Sequence, residues 1–269
     1  MSVKPLNRKR RSINLRETED AATESLRGTK GAQRNSGFIA SDSKDDFIAI
    51  LAHELRNPLN AISGWAQMLS IDGVDPKRVK HAAEIIAASA ELQRDLIDDL
   101  LDIAGINTGK LNLEMQSVSL RDLLLDMVDR TRPLAEVKGI KLVPEIPRSK
   151  SMMICGDRKR LEQIVGNLLS NALKFTDIGG TISVKLKTRD GDGVFTIEDD
   201  GVGISPEALP GIFDMFRQSD GVQNERKLAG LGLGLTLVKQ FVGMHGGKVA
   251  ASSDGKGKGS KFSVSLPLI

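Results

Sequence analysis

The sequence predicts a two-part chain: an α-helical hairpin that pairs with a second copy into a four-helix bundle, followed by an α+β sandwich. Three observations predict it. Residues 47–69 and 76–106 repeat apolar side chains every three or four positions, the period of a helix with one buried face. A short polar turn, IDGVD at 71–75, joins them. Beyond residue 111, short alternating runs come in groups between helical runs, which favours helices on one face of a mixed sheet.

In chain order, residues 1–40 carry nine Lys and Arg against four Asp and Glu, with NRKRR at 7–11 and few apolar residues. That composition reads as a disordered or linking segment. The hairpin occupies 41–108. Its first helix is expected from Ser43, where Ser43 and Asp46 fit a capping box. Its stripe includes Leu51, Leu55, Leu59, Ile62 and Trp65, and Pro58 within it removes one backbone donor and should bend it. Asp75 caps the second helix with Pro76 in its first turn, and Gly105 and Gly109 end it. Val79, Leu92, Leu96, Leu100 and Ile103 give this helix its apolar face. One hairpin cannot cover both stripes, so a homodimer through residues 43–106 is expected. His81 reads as structural.

Residues 109–269 form the second part. Strands are expected at 118–120, 140–146, 181–187, 194–198, 248–252 and 261–266, and helices at 120–137, 158–175 and 231–245. Asp157 caps the helix RKRLEQIVGNLLSNALKF, and Ser205, Pro206 and Glu207 open a short one.

Composition narrows the function. Net charge is only +3 over 269 residues, and aromatics are 3 per cent with no Tyr. Neither favours a nucleic-acid partner. The lone Cys155 excludes an internal disulfide and fits a reducing cytoplasm. No run of eighteen apolar residues marks a transmembrane helix, and the charged N-terminus lacks a signal-peptide core.

Four groups of residues carry chemistry. His53 and Asn57 lie one helical turn apart on a shared face, and Glu54 is close enough to orient the imidazole. Asn167 and Asn171 repeat that spacing, although asparagine is a poor interior helix residue. Their amide oxygens suit a hard cation such as Mg²⁺, with Lys174 one turn on for a phosphate; the alternative is a pair of hydrogen-bonding amides. In DDGVGIS, Asp199 at a strand end can accept from an exocyclic amine such as that of adenine. Gly201 and Gly203 let backbone approach a flat base. In AGLGLGL, Gly230, Gly232 and Gly234 precede a helix and offer free N–H groups to an anion. Between these, Phe213 and Phe216 bracket a turn, and SDGVQNERK at 219–227 reads as a lid, with Arg217, Arg226 and Lys227 available to phosphates.

The order HELRNP, NLLSNALKFT, DDGVGIS, IFDMF, GLGLGL resembles the sensor histidine kinases of two-component systems, over about residues 43–269. These look like the family's histidine, asparagine, first glycine, phenylalanine and second glycine boxes. The resemblance implies a Bergerat-type ATP-binding domain, as in gyrase, Hsp90 and MutL, behind a dimerisation and phosphotransfer hairpin. It implies that His53 accepts phosphate from ATP with Glu54 as its base, and that Asn167 and Asn171 hold Mg²⁺. Asp199 would read adenine, and Lys174, Arg217 and the five glycines would line the nucleotide pocket. The phosphoryl group would pass to an aspartate of a separate response regulator receiver domain, and Asn57 matches the position that orients water for dephosphorylating that partner. Ala229 and Leu231 depart from the usual second glycine box. No segment reads as a sensor, so the signal is expected from a partner protein or from a longer chain.

Overall fold

A computed structural model describes residues 39–71, 75–147, 152–215 and 232–269, with side chains in the first helix at Ala49 and from Leu51 onward. The basic segment, the middle of the hairpin turn, the lid, Phe216, Arg217 and Gly230 lie outside the described residues. Residues 46–269 form one compact unit.

Helix α1 spans Ile39–Leu69 and α2 spans Pro76–Asn107. Because α1 begins at Ile39, Ser43 sits inside the helix and not at its cap. No Gly or Pro lies between Ile39 and Ser43, so the backbone ladder propagates back past the expected start. The helix also runs through Pro58 without a break, and Pro58 is buried. Helix α2 starts as expected, with Asp75 accepting from Lys77 N at 3.0 Å. It ends at Thr108 and at Gly109, whose φ of 64° is a left-handed turn. Leu96 and Ile103 are buried, and Leu51, Leu55, Leu100 and Ile106 pack against the same cluster. Leu59, Val79, Leu92, Ile97 and Leu101 stay 42–64 per cent exposed, so a single hairpin leaves apolar surface uncovered. His81 meets Trp65 edge-on at 5.2 Å.

The sandwich follows as β1 (Gln116–Ser119), α3 (Leu120–Val137), β2 (Lys141–Glu145), β3 (Met153–Gly156), α4 (Arg158–Phe175), β4 (Thr181–Arg189) and β5 (Asp192–Asp199). A 3₁₀ turn at Leu209–Gly211, α5 (Gly234–Met244), β6 (Lys248–Ser252) and β7 (Ser260–Pro267) complete it. The main sheet has the order β2-β4-β5-β7-β6, with β2 parallel to β4 and the other pairs antiparallel. Alternate residues Ile182, Val184, Leu186, Phe195, Ile197, Phe262 and Val264 are buried on the face that the helices cover. Strand β3 was not expected from the sequence; its four residues pair with β1 in a separate two-stranded ribbon. Helix α5 starts at Gly234, three residues later than expected, because Gly232 holds φ 68° and cannot continue a helix. The helix expected after Ser205 is a turn leading to the 3₁₀ segment.

Helix α4 is anchored at its start. Asp157 caps it through Arg160 N at 3.2 Å and also accepts from Glu114 N at 3.0 Å. Burial alone would raise the Asp157 carboxyl, but backbone donors from Glu114, Arg160 and Lys159 bring it below the usual range. The Asp157 N–H donates to His245 Nε2 at 3.0 Å, so the ring proton sits on Nδ1 and donates to Phe241 O at 2.7 Å. Gly156 leaves room for that ring, since a Cβ there would meet His245 Cδ2 at 2.9 Å.

Phe195, on the central strand and 1 per cent exposed, tests this packing. Phe195→Ala should cost about 3–5 kcal/mol in urea unfolding; a loss below about 1 kcal/mol would contradict the core described.

Candidate functional site

The site is built along one face of α4. Arg160, Gln163, Asn167, Asn171 and Lys174 recur at helical spacing and are all half-buried. At the start of the face, Arg160 Nη1 donates to Asp102 Oδ2 of α2 at 2.5 Å and to Gln163 Oε1 at 2.9 Å. Its guanidinium also lies 4.9 Å from the centroid of the Phe241 ring on α5. Gln163 Nε2 donates to Asp102 Oδ2 at 3.1 Å and to Asp99 Oδ1 at 3.3 Å. In the middle, Asn167 Nδ2 donates to Gly234 O at 3.2 Å, which ties α4 to the first residue of α5. A Cβ on Gly234 would meet Asn167 Cγ at 3.3 Å. At the far end, burial lowers the Lys174 ammonium, and the Glu54 carboxylate of α1 acts in the opposite direction.

On α1, His53 is 71 per cent exposed and its Nδ1 is 3.5 Å from Glu54 Oε1 and 3.3 Å from Asn57 Nδ2. The two neighbours make opposite demands on one nitrogen: the amide N–H₂ asks for a lone pair, the carboxylate for a proton. Turning the Asn57 amide over presents Oδ1 instead, and both groups then accept from Nδ1–H. That tautomer leaves the lone pair of Nε2 free.

The Asp199 pocket rests on strand register. Asp199 pairs with Ser260 across β5 and β7, on the same inward face as Phe195 and Ile197. A slip of one residue would turn it outward. Ser260 Oγ donates to Asp199 Oδ2 at 2.5 Å, and Gly201 N donates to Oδ1 at 3.0 Å. Burial pushes the Asp199 carboxyl up, and the Ser260 and Gly201 hydrogen bonds pull it part of the way back. Gly201 and Gly203 serve packing: a Cβ on Gly201 would overlap the carbonyl of Phe175, and one on Gly203 the carbonyl of Gly255. The loop is closed by Gly257 N to Val202 O at 2.7 Å and Gly259 N to Gly201 O at 3.1 Å. Phe213 stacks edge-on against Phe262 at 6.3 Å, and its carbonyl accepts from Thr236 Oγ1 at 3.1 Å.

So Asn167, Asn171 and Lys174 share one face, and Gly234 meets that face at its middle through Asn167. Sequence reasoning missed Arg160, Gln163, Asp99, Asp102 and Ser260. Arg160 and Gln163 continue the spacing of Asn167 and Asn171, which was the available signal. Among the described residues no group of three or more His, Cys, Asp and Glu side chains is placed to hold a metal. With Nδ2 of Asn167 committed to Gly234, its remaining polar atom is an oxygen, a hard ligand of the kind Mg²⁺ takes.

Comparison with known proteins gives two family matches. Residues 43–109 match the His Kinase A (phospho-acceptor) domain, and residues 156–269 match the histidine kinase-, DNA gyrase B-, and HSP90-like ATPase. The chain is 36 per cent identical over 282 residues to hybrid signal transduction histidine kinase D of Dictyostelium discoideum, covering 88 per cent of this chain and 18 per cent of that protein. It is 36 per cent identical over 240 residues to the autoinducer 2 sensor kinase/phosphatase LuxQ of Vibrio harveyi, covering 87 and 28 per cent. The chain thus spans less than a third of the length of these two relatives. Full-length ShkA in complex with AMPPNP is similar in structure, with a TM-score of 0.62 and 28 per cent identity over 83 per cent of this chain and 46 per cent of that one. No helix among the described residues is long and apolar enough to cross a membrane.

The seam between α2 and α4 has a pH signature. Burial, followed by Asp102, Asp95 and Asp98, pushes Asp99 up to about 6, against the hydrogen bond from Gln163. The fold thus favours the protonated carboxyl: its contribution is full below the ordinary carboxylate range and lost as pH rises through about 6. Asp99→Asn keeps an acceptor for Gln163 without the charge. Its melting temperature should match the parent near pH 4 and exceed it by at least about 2 °C above pH 6. A gap that does not change with pH would contradict this assignment.

Proposed function

The chain belongs to the histidine kinases, with the phospho-acceptor and ATPase parts of that family in order, and we propose that it phosphorylates its own His53 from ATP and passes the phosphoryl group to an aspartate on a response regulator. The observation that carries this is the α4 face, which puts Asn167, Asn171 and Lys174 in helical register beside the start of α5, where Asn167 holds Gly234. Asp199, buried and held by Ser260, is suited to accept from the adenine amine. Gly232 and Gly234 open α5, whose free N–H groups and positive end suit phosphate. Arg217 and Gly230 complete the proposed pocket, by resemblance.

In the chemistry, Glu54 holds Nδ1–H so that Nε2 carries the attacking lone pair. The new P–N bond forms as the bond from γ-phosphorus to the β,γ-bridging oxygen breaks. ADP leaves with that electron pair, and Glu54 takes the Nδ1 proton. Asn167 and Asn171 would hold Mg²⁺ together with phosphate oxygens, and the ion would supply neutralisation of phosphate charge. Burial lowers the half-buried Lys174 ammonium while the Glu54 carboxylate acts the other way, and a bound phosphate would add to the Glu54 effect.

The exposed apolar residues of the hairpin fit a homodimer through a four-helix bundle. We place the chain in the cytoplasm, where ATP and a receiver domain are available, with residues 41–108 as the phosphotransfer hairpin and 109–269 as the nucleotide-binding domain. A sensory input from a partner protein or another segment completes the scheme. A second activity, dephosphorylation of the regulator, is favoured by Asn57 lying beside His53, where it can orient water.

Incubation with γ-labelled ATP and Mg²⁺ tests this. The chain should gain an acid-labile, base-stable label, and His53→Gln should abolish it. Label that survives that substitution, or none while ATP binds, would overturn the proposal.

A further inference from the structure

Helix α5 begins without a side-chain cap. Leu233 stands at the cap position with its backbone already helical, at φ −85° and ψ −30°, and its side chain has no polar atom to offer. The first bond of the helix runs from Leu237 N to Leu233 O at 2.8 Å. The N–H groups of Gly234, Leu235 and Thr236 precede it and have no intrahelical acceptor, as at every helix start. A Ser, Thr, Asp or Asn cap would take one of these donors and fix the direction of the first turn. On the nucleotide reading the donors are kept for phosphate, so the direction has to be fixed in another way.

Two hydrogen bonds fix it without using those donors. From α4, Asn167 Nδ2 donates to Gly234 O at 3.2 Å. From the turn itself, Thr236 Oγ1 donates to Phe213 O at 3.1 Å, across 23 positions of sequence. A helical threonine hydroxyl ordinarily bonds back to a carbonyl three or four residues earlier in its own helix. For Thr236 those residues are Leu233 and Gly232, before the helix begins, and the hydroxyl crosses to another segment instead. Thr236 is 3 per cent exposed, so its hydroxyl depends on this partner. Buried Leu233 and Leu237 hold the turn in the core, but apolar contact is non-directional and leaves its aim to the hydrogen bonds.

Phe213 is itself anchored. Its ring meets Phe262 of β7 edge-on at 6.3 Å, and Phe262 is buried two residues from Ser260, the donor that holds Asp199. The contacts therefore run from the Asp199 strand pair through Phe262, Phe213 and Thr236 to the first turn of α5.

We propose, on the kinase reading above, that Thr236 is a positioning residue for phosphate: its hydroxyl, with Asn167 on the other side, aims the free N–H groups of α5 at the phosphates of the nucleotide. Its own side chain is spent on the Phe213 carbonyl, so it acts through the backbone of α5. Asp199 keeps its donors, Ser260 Oγ and Gly201 N, independently of that bond. Losing the Thr236 hydroxyl then weakens ligands that carry phosphates and spares those that do not.

The test uses the full chain with Mg²⁺ and measures binding of adenosine, ADP and ATP by calorimetry. Thr236→Val keeps the shape and removes the hydroxyl; Thr236→Ser keeps the hydroxyl and removes the methyl. A displacement of about 1 Å in a positioned group costs up to about a hundredfold, so Thr236→Val should weaken ATP and ADP by at least about tenfold and leave adenosine within about twofold. Thr236→Ser should bind ATP within about threefold of the unaltered chain. Adenosine lost by the same factor as ATP would mean a merely structural role and overturns the proposal. So does ATP binding that Thr236→Val leaves unchanged, or that Thr236→Ser fails to restore. Thr236→Ala takes the place of Thr236→Val in the same series if that variant does not fold. An unaltered chain that binds no ATP would instead overturn the kinase reading itself, so the two failures are distinct.

Discussion

Arg160 stands where three helices meet. Its guanidinium is shared between the Asp102 carboxylate on α2, the Gln163 amide on its own helix and the Phe241 ring on α5. A charge taken this far from water is costly unless paired, and removing one partner of a buried pair costs about 3–5 kcal/mol. The planar fork suits both the carboxylate and the ring face, which a lysine cannot match. Because α4 is also capped by Asp157 and tied to α5 through Asn167, it has little freedom to rotate. Its polar face then has one orientation, which sets Asn167, Asn171 and Lys174 together.

The nucleotide pocket depends on a different constraint, close backbone packing. Gly201, Gly203 and Gly259 sit where any side chain would overlap a neighbouring carbonyl or backbone carbon. Their role is to let the Asp199 loop, the end of α4 and the 253–259 loop touch directly. Asp199 is thereby buried with two donors fixed on it, which pull its carboxyl part of the way back against the rise that burial causes. The Asp99 carboxyl, with one side-chain donor and three acidic neighbours, is pushed up to about 6.

Much of this was legible in the sequence, for definite reasons. Asp75, Pro76 and Asp157 mark helix starts by local chemistry, and they stand where expected. The alternation in 181–187 and 194–198 follows the pleat of a half-buried sheet and survives in the burial pattern. Ser43 failed as a start signal because a cap needs a break before it. Strand β3 was invisible because four residues carry no period, and its pairing with β1 comes from tertiary contact. Asn167 and Asn171 stood out as poor helix formers, whereas Arg160 and Gln163 look like ordinary surface residues until Asp99 and Asp102 are placed opposite. Arg160 and Asp102 are 58 positions apart, and no local rule links them.

The central claim is that the α4 face docks on the hairpin of its own chain, and cross-linking measures it most directly. Cys155 is exposed and is first replaced by serine. Asp99→Cys and Gln163→Cys are then introduced together, leaving the Arg160–Asp102 pair intact, and a short bis-maleimide is added to the dimer. The account predicts a cross-linked species of single-chain mass on a denaturing gel, formed in the tagged homodimer and at high dilution alike. A covalent dimer as the main product, or no cross-link between the two positions, would contradict it.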